Sequence, residues 1–272
     1  MIKAKVLSDS SSFSRFTRLI TVETLAPKFL DAQVEKHRMI SSNSSSDRAV
    51  PIEKMSFYLP SDLRVAQKGM QGDERVDAKT LYNFLEDYKD ALDFLKGIAY
   101  TWSKIIHKQH LNRLLLGFSM QHKVMTATRE NWEYFFSLRC ASDADPAIQE
   151  LANKIRCAIS NSATTLMHNG DWHLPYADKD ASLEDRIVQS VARCARVSYK
   201  NHDGSESSMD KDRKLVQFLK ENRHLTPFEH QAYPMMIQDI NGKWEEGVTH
   251  INRDNVPYSG NFPNWIQYRQ IL

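Results

Sequence analysis

The residues from Lys36 to Arg48 read KHRMISSNSSSDR. Lys36 and Arg38 flank His37, five serines (Ser41, Ser42, Ser44, Ser45, Ser46) surround Asn43, and Arg48 closes the run. Serine hydroxyls, backbone amides and a guanidinium together can cradle a phosphate, and arginine adds a two-pronged fork that a flexible linker does not need. The plain alternative is a polar loop. Against it, the serines lie between fixed cations rather than among glycines, and the stretch falls between a helical pattern and an extended one. Arg113 in HLNRLLLGF and Arg139 in FFSLRC stand among apolar residues. Such an arginine either snorkels to water or is buried and paired with an anion. HLTPFEH gathers His224, Thr226, Glu229 and His230, with Pro227 as a helix stop.

Other chemistries lack their signatures. Neither G-x-x-x-x-G-K-[ST] nor G-x-G-x-x-G is present, nor H-E-x-x-H, nor G-x-S-x-G. His107 and His110 are three apart on a helical pattern, but a solvated helix face explains them better than a metal without further ligands. Cys194 in ARCARVSY reads as a small buried cysteine, because nothing adjacent lowers its pKa.

These residues need elements to position them. The 272 residues are 41% hydrophobic and 26% charged, ordinary for a globular chain with a sizeable core. A net charge of +2 excludes bulk attraction to nucleic acid or an anionic membrane, so any anion site is local. No apolar run spans a bilayer and the N-terminus lacks a secretory core. Three cysteines without C-x-x-C make a disulfide framework unexpected and a cytoplasmic setting the default.

The pattern is mixed α and β without an internal repeat. FTRLITVETLA reads as a strand, and PKFLDAQVEKHR as a helix running to Arg38. From Thr80 apolar residues recur at helical spacing, with Gly97 as a break or a close contact. Further helices are expected over Trp102–Phe118, over Arg129–Leu138, and from Pro146 to about Ala158. HNGDWHLPYAD reads as a turn-rich connector, RCARVSY as a strand or helix end, and DRKLVQFLKEN as an amphipathic helix. The aromatic tail VPYSGNFPNWIQYRQIL is expected to pack on the body. No linker divides the chain, so residues 1–272 read as one intertwined domain.

KHRMISSNSSSDR resembles the R-H-R-x-x-S-x-N-x-x-S-x-R signature of the flavin-dependent thymidylate synthases. ARCARVSY and HLTPFEH resemble that family's A-R-V-S and T-P-F-E-H segments, and NRLLLGF, TATRENWEYFFSLR and DADPAIQELA its central helical region. In the common arrangement A-R-V-S and T-P-F-E-H precede the signature. Here they follow it, which is similar to a circularly permuted branch; permutation is tolerated where termini lie close together.

The resemblance implies an α+β fold with a central, mainly antiparallel sheet flanked by long helices, in a homotetramer with shared active sites. It implies conversion of dUMP to dTMP, with FAD as cofactor and methylenetetrahydrofolate and NADPH as co-substrates. Lys36, His37, Arg38, Asn43, Ser198, His224 and Thr226 would bind flavin or line the flavin and folate side. Ser44, Ser45, Ser46 and Arg48 would bind dUMP, with Gln33 and Arg113 reaching it from a neighbouring subunit. Arg139 would hold the uracil carbonyl edge and stabilise charge that builds there. Lys36 replaces the signature's first arginine, Ser44 a glutamate and Ala49 a tyrosine, while Tyr134 and Asp145 stand where amides are expected. The alternatives are a pyrimidine-nucleotide hydroxymethylase with the same ligands, and a non-catalytic nucleic-acid-binding protein, which the near-neutral charge disfavours.

Overall fold

A computed structural model of the chain describes residues 1–46, 50–69, 72–198, 204–205, 207–236 and 242–272. The strands are β1 (Lys3–Ser12), β2 (Arg18–Pro27), β3 (Ser41–Ser44), β4 (Met120–Thr128), β5 (Thr165–Met167), β6 (Ala232–Pro234), β7 (His250–Ile251), β8 (Pro257–Ser259), β9 (Phe262–Pro263) and β10 (Trp265–Gln267). The helices are α1 (Asp31–Val34), α2 (Ala78–Trp102), α3 (Lys108–Asn112), α4 (Arg129–Arg139), α5 (Pro146–Ser160), α6 (Leu183–Arg196) and α7 (Met209–Glu221). The main sheet has the order β3-β4-β2-β1-β5, antiparallel except where β1 pairs with β5. This is the α+β architecture, mainly antiparallel, that the resemblance implies.

Alternation along β2 and β4 gives the sheet two unlike faces. Ile20, Val22, Met125 and Ala127 face α4 and α5, where Trp132, Phe135, Ile148, Leu151 and Ile155 fill the core. The Trp132 indole donates to the Ile20 carbonyl at 3.2 Å. On the other face Leu19 meets Phe262 and Trp265, and Val124 meets Tyr176, Cys194 and Val197. Residues late in the sequence therefore cover that face, as expected of the aromatic tail, and β6 pairs with β10 there.

Helix ends follow from their caps. Asp77 accepts from the Lys79 and Thr80 amides to start α2, and Asp145 does so from Ala147 and Ile148 to start α5, with Pro146 in the first turn. The helices expected from Thr80, over Arg129–Leu138, after Pro146 and over DRKLVQFLKEN are present. RCARVSY is the end of α6, where Val197 turns left-handed at φ 51°.

Four expectations are corrected. Gly97 does not break α2, which continues to Trp102; one glycine costs a helix only about 1 kcal/mol. The helix expected over Trp102–Phe118 shrinks to α3 and a 3-10 turn at Arg113–Leu115, because His107 caps a new start at the Gln109 amide. The helix expected to reach Arg38 is a 3-10 turn at Lys28–Leu30 followed by the four residues of α1. Strands β1 and β4 were not expected at all: β1 buries Ser10 and Ser12, and β4 buries Lys123, whose ammonium donates to the carboxylates of Asp31 and Glu35.

Candidate active site

Arg139 ends α4 and His37 sits in the turn after α1, where its amide bonds to the Val34 carbonyl at 3.0 Å. The His37 ring is held edge-on to Phe135, 4.8 Å between centroids, and near Tyr134 at 6.1 Å. Arg139 Nε donates to His37 Nε2 at 2.9 Å, and its Nη2 donates to the Gln33 carbonyl at 3.1 Å. Burial, and then the charge of Arg139, push the His37 pKa down to about 4. The imidazole is thus neutral near pH 7, with its lone pair on Nε2 and its proton on Nδ1. Both observed partners of the guanidinium are neutral acceptors, so its positive charge is fixed in place without being cancelled. Lys36 and Arg38 are exposed on either side of His37.

Strand β3 carries the serine run away from this group. Asn43 donates to the Cys194 carbonyl at 2.8 Å, tying the strand to the end of α6. The Ser45 amide bonds to the His122 carbonyl and Gln121 Nε2 to the Ser45 carbonyl, both at 2.9 Å. Ser45 and Ser46 line a cavity of about 70 Å³ with Asn112, Gln121 and His122. Val50 also lines it and its carbonyl accepts from Asn112 Nδ2 at 3.0 Å, so the chain leaves at Ser46 and returns at Val50 beside one cavity. Arg48 and Ala49, between them, lie outside the described residues. Arg113 follows Asn112 directly and is exposed. Ser44 is half-buried on β3.

Segments far along the chain join the same strand. The 3-10 turn Thr226–Glu229 packs against β3, and Gln267 Nε2 bonds both the Glu229 carbonyl, at 3.0 Å, and Ser41 Oγ, at 3.3 Å. Thr226 and His224 are exposed, with the His224 ring stacked near Phe218. The Ser198 amide closes the end of α6 on the Arg193 carbonyl at 3.1 Å. Asp145 is spent as the α5 cap rather than facing a ligand.

Two groups result. Gln33, His37 and Arg139 meet at the start of β3; Ser45, Ser46 and the Asn112–Arg113 corner meet at its far end. The four residues of β3 lie between them along the chain. One chain brings each group together but not both. His107 and His110 form no metal cluster among the described residues. Cys194 is fully buried, and burial drives its thiol pKa far up, as expected of an inert cysteine.

Sequence reasoning missed a buried polar chain beside this site. His173 Nε2 lies 2.7 Å from Thr21 Oγ1, which lies 2.7 Å from Thr126 Oγ1, which lies 2.9 Å from His230 Nδ1. Its signals in the sequence were His173 in DWHLP, His230 in HLTPFEH and the threonines of the two strands that carry Thr21 and Thr126.

The architecture is shared with a structure already solved. A solved structure described as the UMP/dUMP methylase PolB from Streptomyces cacaoi bound with 5-Br UMP matches at TM-score 0.52 and 16% identity, over 59% of this chain and 89% of that one. The sequence profile of the family described as thymidylate synthase complementing protein matches residues 17–163, more than half of the chain. The chain belongs to that family, the flavin-dependent thymidylate synthases. Comparison with curated protein sequences gives no match.

Proposed function

We propose that the chain methylates dUMP to dTMP reductively, as a flavin-dependent thymidylate synthase using methylenetetrahydrofolate and NADPH as co-substrates. The observation that carries this reading is the Arg139 guanidinium, held by His37 Nε2 and the Gln33 carbonyl with its charge uncancelled. When C5 of uracil attacks an electrophile, negative charge builds on the ring oxygens. A preplaced guanidinium stabilises that charge more than it stabilises the resting ring.

The donor set fits FAD: exposed Lys36 and Arg38 flank His37 and can meet its phosphates, while Asn43 on β3 is tied to the end of α6, which Ser198 follows. FAD, when bound, supplies the hydride that completes the methyl group. Ser44, Ser45, Ser46 and Arg48 would hold the nucleotide, and Gln33 and Arg113 would approach it from another subunit. His224 and Thr226, exposed beside β3, would line the flavin and folate side.

The split of the site between the two ends of β3 supports a homotetramer whose subunits share active sites. So does α2, which leaves Tyr82, Phe84, Phe94, Tyr100 and Trp102 exposed along its length. We read residues 1–272 as one catalytic unit, because the segments after β5 form the second face of the sheet.

Arg139→Ala and Arg139→Lys test the assignment. Loss of one such donor costs about a hundred- to a thousandfold in turnover, with a smaller effect on dUMP affinity, and lysine restores little because it lacks the fork. Normal turnover with a lowered melting temperature would make Arg139 a structural tie. Product analysis, supplied with dUMP and with UMP, separates methylation from hydroxymethylation and deoxyribose from ribose. A colourless protein that shifts RNA would replace the enzyme reading with a nucleic-acid-binding one.

A further inference from the structure

Strands β1 and β5 form the edge of the main sheet opposite to β3, with β4 and β2 between them. Behind β1 lies a cavity of about 780 Å³, within the size range of small-molecule sites. Its wall comes from β1 at Asp9, from Ser162 after α5, from Thr165 of β5, from the connector at Trp172 and Lys179, and from Arg186 of α6. None of the residues that the family resemblance assigns to nucleotide or flavin lines it.

The charges in this wall do not balance. Asp9 is its one carboxylate among the described residues, and Arg18 already grips it, with Nε donating to Oδ1 at 2.7 Å and Nη2 to Oδ2 at 2.5 Å. The Ser162 hydroxyl donates to Oδ2 as well. The two remaining cations have no such partner. Neither Lys179, which is exposed, nor the Arg186 guanidinium makes an ion pair or a side-chain hydrogen bond among the described residues. Arg186 is half-buried, and its Nε is shut away from water without an acceptor. The acids nearby in sequence are engaged or turned outward. Asp185 pairs with Arg213 at 2.6 Å, Asp178 accepts from the Asp180 amide, and Glu184 is exposed outside the wall. Asp171, in an adjoining cleft that Arg186 also lines, accepts from the His168 amide at 2.9 Å. A buried charged donor without an acceptor is unfavourable, and an anion in the cavity satisfies it. Trp172 adds a ring. It is half-buried, and its neighbours Tyr233 and Tyr268 meet it at 54° and 84° from outside the cavity.

We propose that the cavity behind β1 is a second ligand site, which takes a phosphate monoester carrying a flat ring, the chemistry of a nucleotide. A phosphate dianion matches both cations, whereas a single carboxylate leaves one unmatched. Arg186 supplies a fork to its oxygens and Lys179 a point charge. The ring packs against Trp172, and Thr165 and Asn161 add a hydroxyl and an amide to the same wall for the sugar. Because β3 lies at the opposite edge of the sheet, both sites can be filled at once. The second site makes and breaks no bond, and it does not depend on the proposed function.

Fluorine NMR on protein labelled with 5-fluorotryptophan reads the cavity through Trp172, assigned by Trp172→Phe. The probes are AMP, GMP, CMP, dTMP and dUMP, each titrated separately, with the matching nucleosides and inorganic phosphate as controls. At least one nucleotide should shift the Trp172 signal saturably, and the same shift should persist in Arg139→Ala. Lys179→Glu and Arg186→Gln should each weaken that binding by about tenfold or more, and the nucleoside should bind at least about tenfold more weakly than its phosphate. Lys179 is exposed, so its replacement decides the matter even if Arg186→Gln does not fold. No saturable Trp172 shift with any of the five nucleotides, or unchanged affinity in Lys179→Glu, overturns the site. Equal binding of nucleoside and nucleotide overturns the anion, and equal binding of inorganic phosphate overturns the ring. A shift lost in Arg139→Ala as completely as in Lys179→Glu places the nucleotide at the Arg139 site and overturns the second site. These outcomes stand whether or not the protein turns over dUMP.

Discussion

Replacing His37 by glutamine should make the protein less sensitive to acid, and by a calculable amount. The His37 ring is only 7% exposed and its pKa stands at about 4 against an ordinary 6.5, through burial first and the Arg139 charge second. Between these two values the unfolded chain binds a proton that the folded chain refuses. Stability therefore falls as pH drops through that window, and is fully retained above it. The gap of about 2.5 units corresponds to roughly 3 kcal/mol, a large part of a domain's typical stability of about 5–15 kcal/mol. His173 and His230 are pushed the same way, so wild type alone shows a composite slope. The difference from His37→Gln isolates one residue, because glutamine offers Arg139 an acceptor oxygen but does not titrate. Urea unfolding of both proteins at several pH values from 7.5 to 4 supplies the comparison. Wild type should lose up to about 3 kcal/mol more than the variant across the window. Parallel curves would show that His37 titrates normally.

Arg48→Ala should weaken dUMP binding by about ten- to a hundredfold while sparing flavin, since it removes a charge-assisted phosphate contact; equal loss of both ligands in titrations would make the loop structural. Mixing that variant with Arg113→Ala should restore turnover if one site takes Arg48 and Arg113 from different chains, and an active monomer in sedimentation would refute sharing. Asp212 pairs with Arg196 at 2.6 Å with both side chains buried, so Asp212→Ala should cost about 3–5 kcal/mol by stranding a buried charge; a loss below about 1 kcal/mol in chemical unfolding would refute it. Exposed Cys157 should react with a thiol reagent well before Cys194, whose thiolate is disfavoured by burial; equal rates in the native protein would contradict the buried assignment.

The elements legible in the sequence are those in which one physical rule dominates. Helices α2, α4, α5 and α7 show helical spacing, and Asp77 and Asp145 mark two of the starts. Strand β2 carries β-branched residues in rough alternation and is buried along most of its length. Strands β1 and β4 hide because their inward residues break the rule that polar groups face water. Ser10, Thr126 and Lys123 are buried, and their side-chain partners are remote in sequence: His173 for Ser10, Thr21 and His230 for Thr126, and the carboxylates of Asp31 and Glu35 for Lys123. Local pattern cannot register a partner so far along the chain. The same holds for the site. The serine run and the arginines were visible by type, but the meeting of Arg139 with His37 depends on α1 ending early and the chain turning at His37, which no local signal announced.

Segment order adds a second lesson. The family match ends at residue 163, yet the sheet is not closed there. Its second face is formed by Tyr176, Cys194, Val197, Phe262 and Trp265, all beyond the match. The A-R-V-S and T-P-F-E-H segments come after the signature in sequence and still reach β3, through Asn43 to Cys194 and through Gln267 to Glu229 and Ser41. A strand is held by neighbours across the sheet and above it, and those contacts do not depend on which neighbour is synthesised first. Reordering is therefore compatible with one architecture as long as the connections can run over the surface. Here the connector from His168 to Ser182 does so, while setting His173 down on the sheet's buried polar file.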